Sequence, residues 1–382
     1  MKVYSRPFVA HLSKTLKKQP EFIHVVLGPR QVGKTMGVLQ LIENNFKKEA
    51  VYASADGDMP RTSAWFLEKW LQAKSKSPAG VLVIDEVQKI ENWSESVKKL
   101  WDEQKIQNNG QKLKLVLLGS SSLNIQKGLS ESLTGRYMLH KVMHWDYFES
   151  AASFGLSLDD YLSYGGYPAS YSFIKNRVDW IHYIENSIIQ PVLGKDILSL
   201  ARVKSPALFR QCFDLACAYA AQEISYTKLL GQLQEKGNVE LVKHYLELFE
   251  GAFLIKQLHK FSNKKVLSRS SSPKILPLCP ALFSITLDAD LSSTESGRAF
   301  ELMIGAMLCQ LPGTLYYWRE KNVEVDYVLK FGKKIWAIEV KSSEKPPRGL
   351  EKFKENYPTC EQVLITRDNF QNVIAELRRH LA

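Results

Sequence analysis

The chain has 382 residues, 45% of them hydrophobic and 24% charged, enough apolar material for more than one core and roughly two to four domains. Its net charge of +11 favours anionic partners such as nucleotides, nucleic acid or anionic membrane surfaces without choosing among them, and fits an ordinary solvated surface equally well. The five cysteines (Cys212, Cys217, Cys279, Cys309 and Cys360) are odd in number and form no CxxC pair, which argues against a disulfide framework or a structural zinc site. The opening MKVYSRPFVAHLSK lacks the apolar run of a signal peptide, and no stretch reaches the roughly 18 apolar residues of a membrane span. The expected location is a reducing cytoplasm.

Residues 1–20 read as an amphipathic helix, with Phe8, Leu12 and Leu16 at helical spacing. Five strand-like runs follow, at 22–28, 50–55, 80–86, 114–120 and 137–145, separated by helical segments near 34–46, 62–73, 94–107 and 124–133. Short, nearly continuous apolar strands alternating with helices predict a buried parallel sheet covered on both faces. From 148 to 220 the pattern is mostly helical, broken by a turn at Gly165, Gly166 and Pro168. SYTKLLGQLQEK, with Ser225 as N-cap, then VELVKHYLELFEG and the strand AFLIKQL give the helix, turn, helix, strand order of a winged helix across 221–272. Residues 259–274 are basic and serine-rich, a wing or exposed loop. The remainder, 273–382, reads as an α/β unit with helices at 297–311, 347–356 and 369–381 and strands at 314–318, 323–330, 334–341 and 361–366. The boundaries expected are therefore 1–147, 148–220, 221–272 and 273–382.

The first strand runs into Gly28-Pro29-Arg30-Gln31-Val32-Gly33-Lys34-Thr35, a G-x-x-x-x-G-K-[ST] loop that opens a helix. Its glycines let backbone N–H groups wrap a phosphate, and the helix N-terminus adds partial positive charge. Lys34 can reach the β- and γ-phosphates of ATP, and the Thr35 hydroxyl can ligate Mg²⁺. Asp85 and Glu86 end the apolar strand VLVIDE. Asp85 suits the magnesium and Glu86 the attacking water as general base. Ser120 or Ser121, after KLVLLGS, is a candidate sensor hydroxyl, and a plain Gly-Ser turn is nearly as good a reading. Arg136 in SLTGRY is a candidate arginine finger acting from a neighbouring subunit, with Arg30 as an alternative phosphate contact. For either arginine a surface salt bridge serves as well.

GPRQVGKT, VLVIDEVQK, LLGSSS, SLTGR and YLSYGGYP, taken together, resemble a family of prokaryotic AAA+-type ATPases whose C-terminal domain has long been described only as of unknown function. The resemblance continues through KDI (195–197), YLELFEGAFLI, SPKI and YWREKNVEVDYVL. It implies a Walker A and Walker B ATPase, a helical lid, a winged helix and a restriction-endonuclease-like terminal domain. A homo-oligomer is implied as well. The family's aspartate after SPKI is replaced here by the run LPLCPALFS.

In that last unit Asp326 lies in VEVDYVL, and Glu339 and Lys341 in IWAIEVK share a strand face by period-two alternation. Glu301 sits in RAFELMIGAMLCQL, where a lone carboxylate needs a cation or a hydrogen-bond partner. Glu301, Asp326, Glu339 and Lys341 resemble the PD-(D/E)XK nuclease set, in which the acids hold a second divalent metal and the lysine serves the hydrolytic water. The alternative is a structural ion-pair network. DNA or RNA is the expected partner beside ATP. The helix VELVKHYLELFEG, however, offers Lys243 and His244 against Glu240, Glu247 and Glu250, so it fits an internal connector better than a phosphate-facing helix. Lys260, Lys264, Lys265, Arg269 and Lys274 are better placed for phosphate.

Overall fold

The computed structural model describes residues 4–57, 61–106, 112–119, 122–198, 203, 205–233, 237–262, 271–287, 289–341 and 348–381. The chain forms two compact units, Met1–His144 with Gly194–Ala201, and Trp145–Leu193 with Arg202–Ala382.

The first unit is built on five parallel strands, β1 (Ile23–Leu27), β2 (Ala50–Ser54), β3 (Val81–Asp85), β4 (Lys114–Gly119) and β5 (Tyr137–Lys141), in the order β2-β3-β4-β1-β5. Strands β1 and β3 are buried along their whole length, which is why they read as unbroken apolar runs. Helices Pro7–Lys18, Lys34–Asn45, Ser63–Lys76, Trp93–Ile106 and Ser122–Ser132 accompany the sheet. Pro7 at the first helical position pre-sets the helix start, and the helix buries Val9, Leu12 and Leu16. Phe8 packs so close to Gly37 that a Cβ there would lie 2.2 Å from Cζ of the ring. Strand β5 stops at Lys141, short of the expected 145. The chain turns there as Val142 N–H donates to Leu27 O at 2.8 Å, and the next two carbonyls accept from Arg6.

The second unit begins with helices Tyr147–Phe154, Leu158–Tyr164 and Arg177–Tyr183, the last continuing as π-helix through Ile184–Ile189. Next come helix Pro206–Ala218, β6 (Gln222–Glu223), helices Tyr226–Leu230 and Val239–Gly251, β7 (Ile255–Leu258) and β8 (Lys274–Pro277). These strands form an antiparallel sheet in the order β6-β8-β7. Ser225 caps its helix by accepting from Lys228 N–H at 3.1 Å, and the helix ends at Leu230, well before the predicted end of that segment. Helices Pro280–Ser284 and Ser293–Leu308 lead to β9 (Thr314–Glu320), β10 (Val323–Phe331) and β11 (Lys334–Val340), and helix Arg348–Asn356 carries the chain to β12 (Glu361–Ile365) and helix Phe370–Leu381. The sheet order is β12-β11-β10-β9, with β9, β10 and β11 antiparallel and β12 parallel to β11.

Alternation along these strands makes two apolar layers. Tyr327, Leu329, Trp336 and Ile338 join helices Ser293–Leu308 and Phe370–Leu381 on one face. Val325, Val328, Ala337, Leu350 and Phe353 fill the other. The β9–β10 register shifts between Val325 and Val328. Asp326 and Tyr327 together face one residue of β9 there, a bulge of the kind that re-aims a side chain. Among the described residues no helix is long and apolar enough to cross a membrane.

A histidine pair lies under the start of the first sheet. His24 Nδ1 and His140 Nε2 are 3.0 Å apart, and the other His24 nitrogen meets Gln19 O at 3.1 Å. The Gln19 carbonyl can only accept, so His24 Nε2 carries a proton and His24 Nδ1 accepts from His140 Nε2–H; charging both rings would set two N–H donors against each other. Burial lowers both, His140 to about 4, with His24 and His11 adding repulsion. Folded values below the unfolded 6.5 mean that the pair's contribution is complete above that pH and is lost as pH falls through the folded values. The thermal midpoint of unit 1 should therefore fall between pH 6.5 and 4 in scanning calorimetry, and His140→Phe should flatten part of that slope. An unchanged slope would contradict the assignment.

Candidate functional site

Because β1, β4 and β3 are adjacent and parallel, the segments that follow them open at one edge of the sheet, where α/β folds bind ligands. The loop after β1 turns through left-handed backbone at Gln31 and Gly33, φ 57° and 85°, and Lys34 begins the next helix. Gly28 is pressed against the turn after β5, since a Cβ there would lie 1.8 Å from Val142 O.

Lys34 is buried, and its ammonium donates to the carbonyls of Gly28 at 3.0 Å and Pro29 at 2.6 Å. Burial draws it down to about 8, against the pull of Glu86 and Asp85. Thr35 Oγ1 donates to Asp85 Oδ2 at 2.6 Å, so the two residues expected to serve one magnesium ion do meet. Tyr52 O–H adds a second bond to that oxygen at 3.0 Å, and Glu86 N–H donates to Asp85 Oδ1 at 2.9 Å. A hydroxyl beside a buried carboxylate is a hard-oxygen set that fits Mg²⁺. Glu86 has φ 54°, uncommon for a residue with a side chain, and this bend turns the chain sharply out of β3. Its carboxylate accepts from Gln88 Nε2.

Arg30, in the middle of the loop, is held through two guanidinium nitrogens by the Asp196 carboxylate, and that bond raises the basicity of the guanidinium. Arg6 is buried ahead of the first helix. It donates to Val32 O inside the loop at 2.7 Å and to Met143 O at 3.2 Å, so it ties the loop to the end of β5. Arg136 lies at the other edge of the sheet. Its carbonyl accepts from Ile23 N–H, at the start of β1, and its guanidinium makes two 2.9 Å bonds to Asp102. Ser120 and Ser121 lie outside the described residues, as do Lys264, Lys265 and Arg269.

Residues 21–151 match a family described as AAA domain. The first unit carries an AAA-type ATPase domain. Residues 155–292 and 296–378 match two families described as domains of unknown function, DUF8612 and DUF4143. An uncharacterized protein of Methanocaldococcus jannaschii, MJ1544, is 24% identical over 351 residues, covering 85% of this chain and 76% of that protein. Solved structures similar to the chain include Cdc6p from Pyrobaculum aerophilum, with 10% identity over 79% of this chain and 96% of that one and a TM-score of 0.34. AMPPCP-bound DnaA from Aquifex aeolicus matches with 16% identity over 64% and 87%, TM-score 0.32. RuvB of Thermotoga maritima matches with 15% identity over 65% and 87%, TM-score 0.33.

In the second unit Glu301 is on helix Ser293–Leu308, Asp326 on β10 and Glu339 on the neighbouring β11, and Lys341 follows just after β11 ends. Among the described residues, however, no three His, Cys, Asp or Glu side chains come together as a metal-holding group. Burial raises Glu301 to about 7 and Glu339 to about 8. Lys274, expected to face phosphate, is instead buried at the start of β8 with its ammonium 2.6 Å from Glu301 Oε1, a pairing that sequence reasoning missed. Sequence reasoning also missed Arg6, Tyr52 and Asp196. Asp196 had a signal, the quoted KDI motif; the others have none beyond their residue type.

Arg6→Ala leaves Val32 O and two neighbouring carbonyls without their donor, each worth about 1–3 kcal/mol when buried. The KM for ATP should rise about tenfold or more, and Arg6→Lys should recover part of it. Steady-state phosphate release with a thermal melt on each variant checks this. An unchanged KM in folded Arg6→Ala would remove Arg6 from the site.

Proposed function

We propose that this protein is an ATP-hydrolysing switch, with the nucleotide in the loop 28–35 and its hydrolysis read out by the C-terminal modules. Lys34 neutralises the β- and γ-phosphate oxygens, exchanging the loop's own carbonyls for them. Thr35, with Asp85 behind it, would hold Mg²⁺, which would neutralise charge on the phosphates. Glu86 accepts a proton from the attacking water, and Gln88 holds its carboxylate in place. The observation that carries the reading is the 2.6 Å contact between Thr35 and Asp85, which brings a hydroxyl and a carboxylate suited to magnesium together at the strand edge.

The switch half rests on Arg30 and Asp196. Asp196 lies on the segment Gly194–Ala201, just after the chain leaves Leu193 of the second unit. A γ-phosphate pairs bidentately with a guanidinium as a carboxylate does, and it carries more negative charge. Arg30 therefore leaves Asp196 when ATP binds and returns to it after hydrolysis, which pulls on that segment once per turnover.

Helix Pro206–Ala218, the β6-β8-β7 sheet and helices Tyr226–Leu230 and Val239–Gly251 support a winged helix, after a helical lid. The four-stranded unit supports a PD-(D/E)XK-like fold. Two readings of this half remain: cleavage of DNA or RNA, or recognition of a nucleic acid or protein by an inactive nuclease-like module. The ammonium of Lys274 inside the carboxylate cluster favours recognition. A homo-oligomer belongs to the same proposal, in which Arg136 of one copy exchanges Asp102 for the phosphate of the next.

Glu86→Gln should cut phosphate release by about 10²–10⁴-fold while ATP affinity stays within threefold. Asp196→Asn frees Arg30 and should tighten ATP binding severalfold, whereas Arg30→Ala should weaken it. Titration calorimetry together with phosphate release reads both. Turnover that survives Glu86→Gln would discard the base, and an Asp196→Asn protein with wild-type affinity would discard the switch.

A further inference from the structure

The carboxylates of the four-stranded unit are already served by cations of the chain itself. Lys274 Nζ lies 2.6 Å from Glu301 Oε1 and 3.7 Å from Asp326 Oδ1, and it donates to Asp326 O at 3.4 Å. The Tyr327 ring stands 5.0 Å from the same ammonium, its centroid within cation–π range. Lys341 Nζ is 3.3 Å from Glu339 Oε1. Asp326 Oδ2 accepts from Val340 N–H at 2.8 Å. A buried ammonium is costly unless it is paired on several sides, and Lys274, only 6% exposed, has two carboxylates, a carbonyl and an aromatic face.

The resemblance to PD-(D/E)XK nucleases implies a divalent metal among Glu301, Asp326 and Glu339. The residues present do not fit one. A divalent ion needs oxygens at about 2.0–2.6 Å, and an ion shared by Glu301 and Asp326 would have to stand beside the ammonium that both already face. The bulge between Val325 and Val328, which sets Asp326 off the regular ladder, turns it toward this internal cation. Lys274 is on β8, in the three-stranded sheet, so the cation comes from a different sheet of the same unit. One oxygen of the cluster is unserved: Glu339 Oε2 is buried and accepts no hydrogen bond among the described residues.

We propose that Lys274 is the built-in cation of this carboxylate centre, so that the centre binds no divalent metal in the native chain and becomes a metal site when that ammonium is removed. The proposal rests on the PD-(D/E)XK-like reading of the unit, deepens it with the identity of the cation, and locates the lock on nuclease chemistry in one side chain.

The test is a Mn²⁺ titration of the full chain without nucleotide, read by the electron paramagnetic resonance of free Mn²⁺. It compares the wild type, Lys274→Met, Asp326→Asn and the double variant. Asn retains an oxygen for Val340 N–H. Any Mn²⁺ bound near Thr35 and Asp85 is common to all four. Lys274→Met should gain one site, at least tenfold tighter than anything the wild type shows there, and Asp326→Asn should abolish that gain. Folded Lys274→Met without the gain overturns the proposal. If Lys274→Met does not fold, the wild type decides it. Mn²⁺ binding or Mg²⁺-dependent DNA cleavage by the wild type that Asp326→Asn removes overturns the proposal, and the absence of both upholds it. A gain of Mn²⁺ without DNA cleavage by Lys274→Met leaves the lysine's role intact and sinks only the catalytic reading of the module.

Discussion

A hydroxyl on the first turn of one helix and a carboxylate at the end of a strand fifty residues later are held 2.6 Å apart, Thr35 to Asp85. That contact exists because β1 and β3 flank β4 in one parallel sheet. Parallel order puts the ends of all three strands at one edge, and their burial on both faces fixes where each strand ends. Move the register by one residue and Asp85 would turn to the other face. The loop is pinned independently of any ligand. Lys34 bonds carbonyls of the loop, Arg6 bonds Val32 O, and Gly28 meets Val142 with no room for a methyl group. A phosphate site of this kind needs donors in place before charge arrives, since reorganising them during the reaction would raise the barrier.

The second unit solves a different problem. It places three acids in or beside a largely apolar interior, where isolated charges are disfavoured. Lysines answer this from two directions, Lys341 from just past the end of the strand that holds Glu339 and Lys274 from another sheet. On the proposal that Lys274 is the built-in cation, the module keeps an acid–lysine set without metal chemistry. The same physics appears at Arg30 and Asp196, where a charge in the loop is held by a carboxylate far along the chain. That pairing is more exposed, so it is more readily exchanged.

Much of the first unit was legible in the sequence. Continuous apolar runs announce buried strands, and the ends of β1 to β4 fall within a residue or two of those expected. The loop 28–35 carries its meaning in spacing, because glycine, lysine and hydroxyl must follow one another in a fixed order to wrap a phosphate. Arg6 and Asp196 were not legible as site residues, nor Lys274 as a partner of the carboxylates. Each acts through a partner 26, 166 and 27 residues away in sequence, and nothing in local periodicity records such a pairing. β5 was read too long because VMHW continues an apolar pattern after the ladder has ended. Alternation put Asp326 and Glu339 on their strands, but it could not tell whether a metal or a lysine faces them.

The central claim is that the loop after β1 binds ATP through Lys34. A titration of a fluorescent ATP analogue into the full chain with excess Mg²⁺ tests it most directly, with Lys34→Ala as the paired sample. Saturable binding that falls at least a hundredfold in folded Lys34→Ala is the expected result. No binding to the native chain, or equal binding by both proteins, would contradict the account.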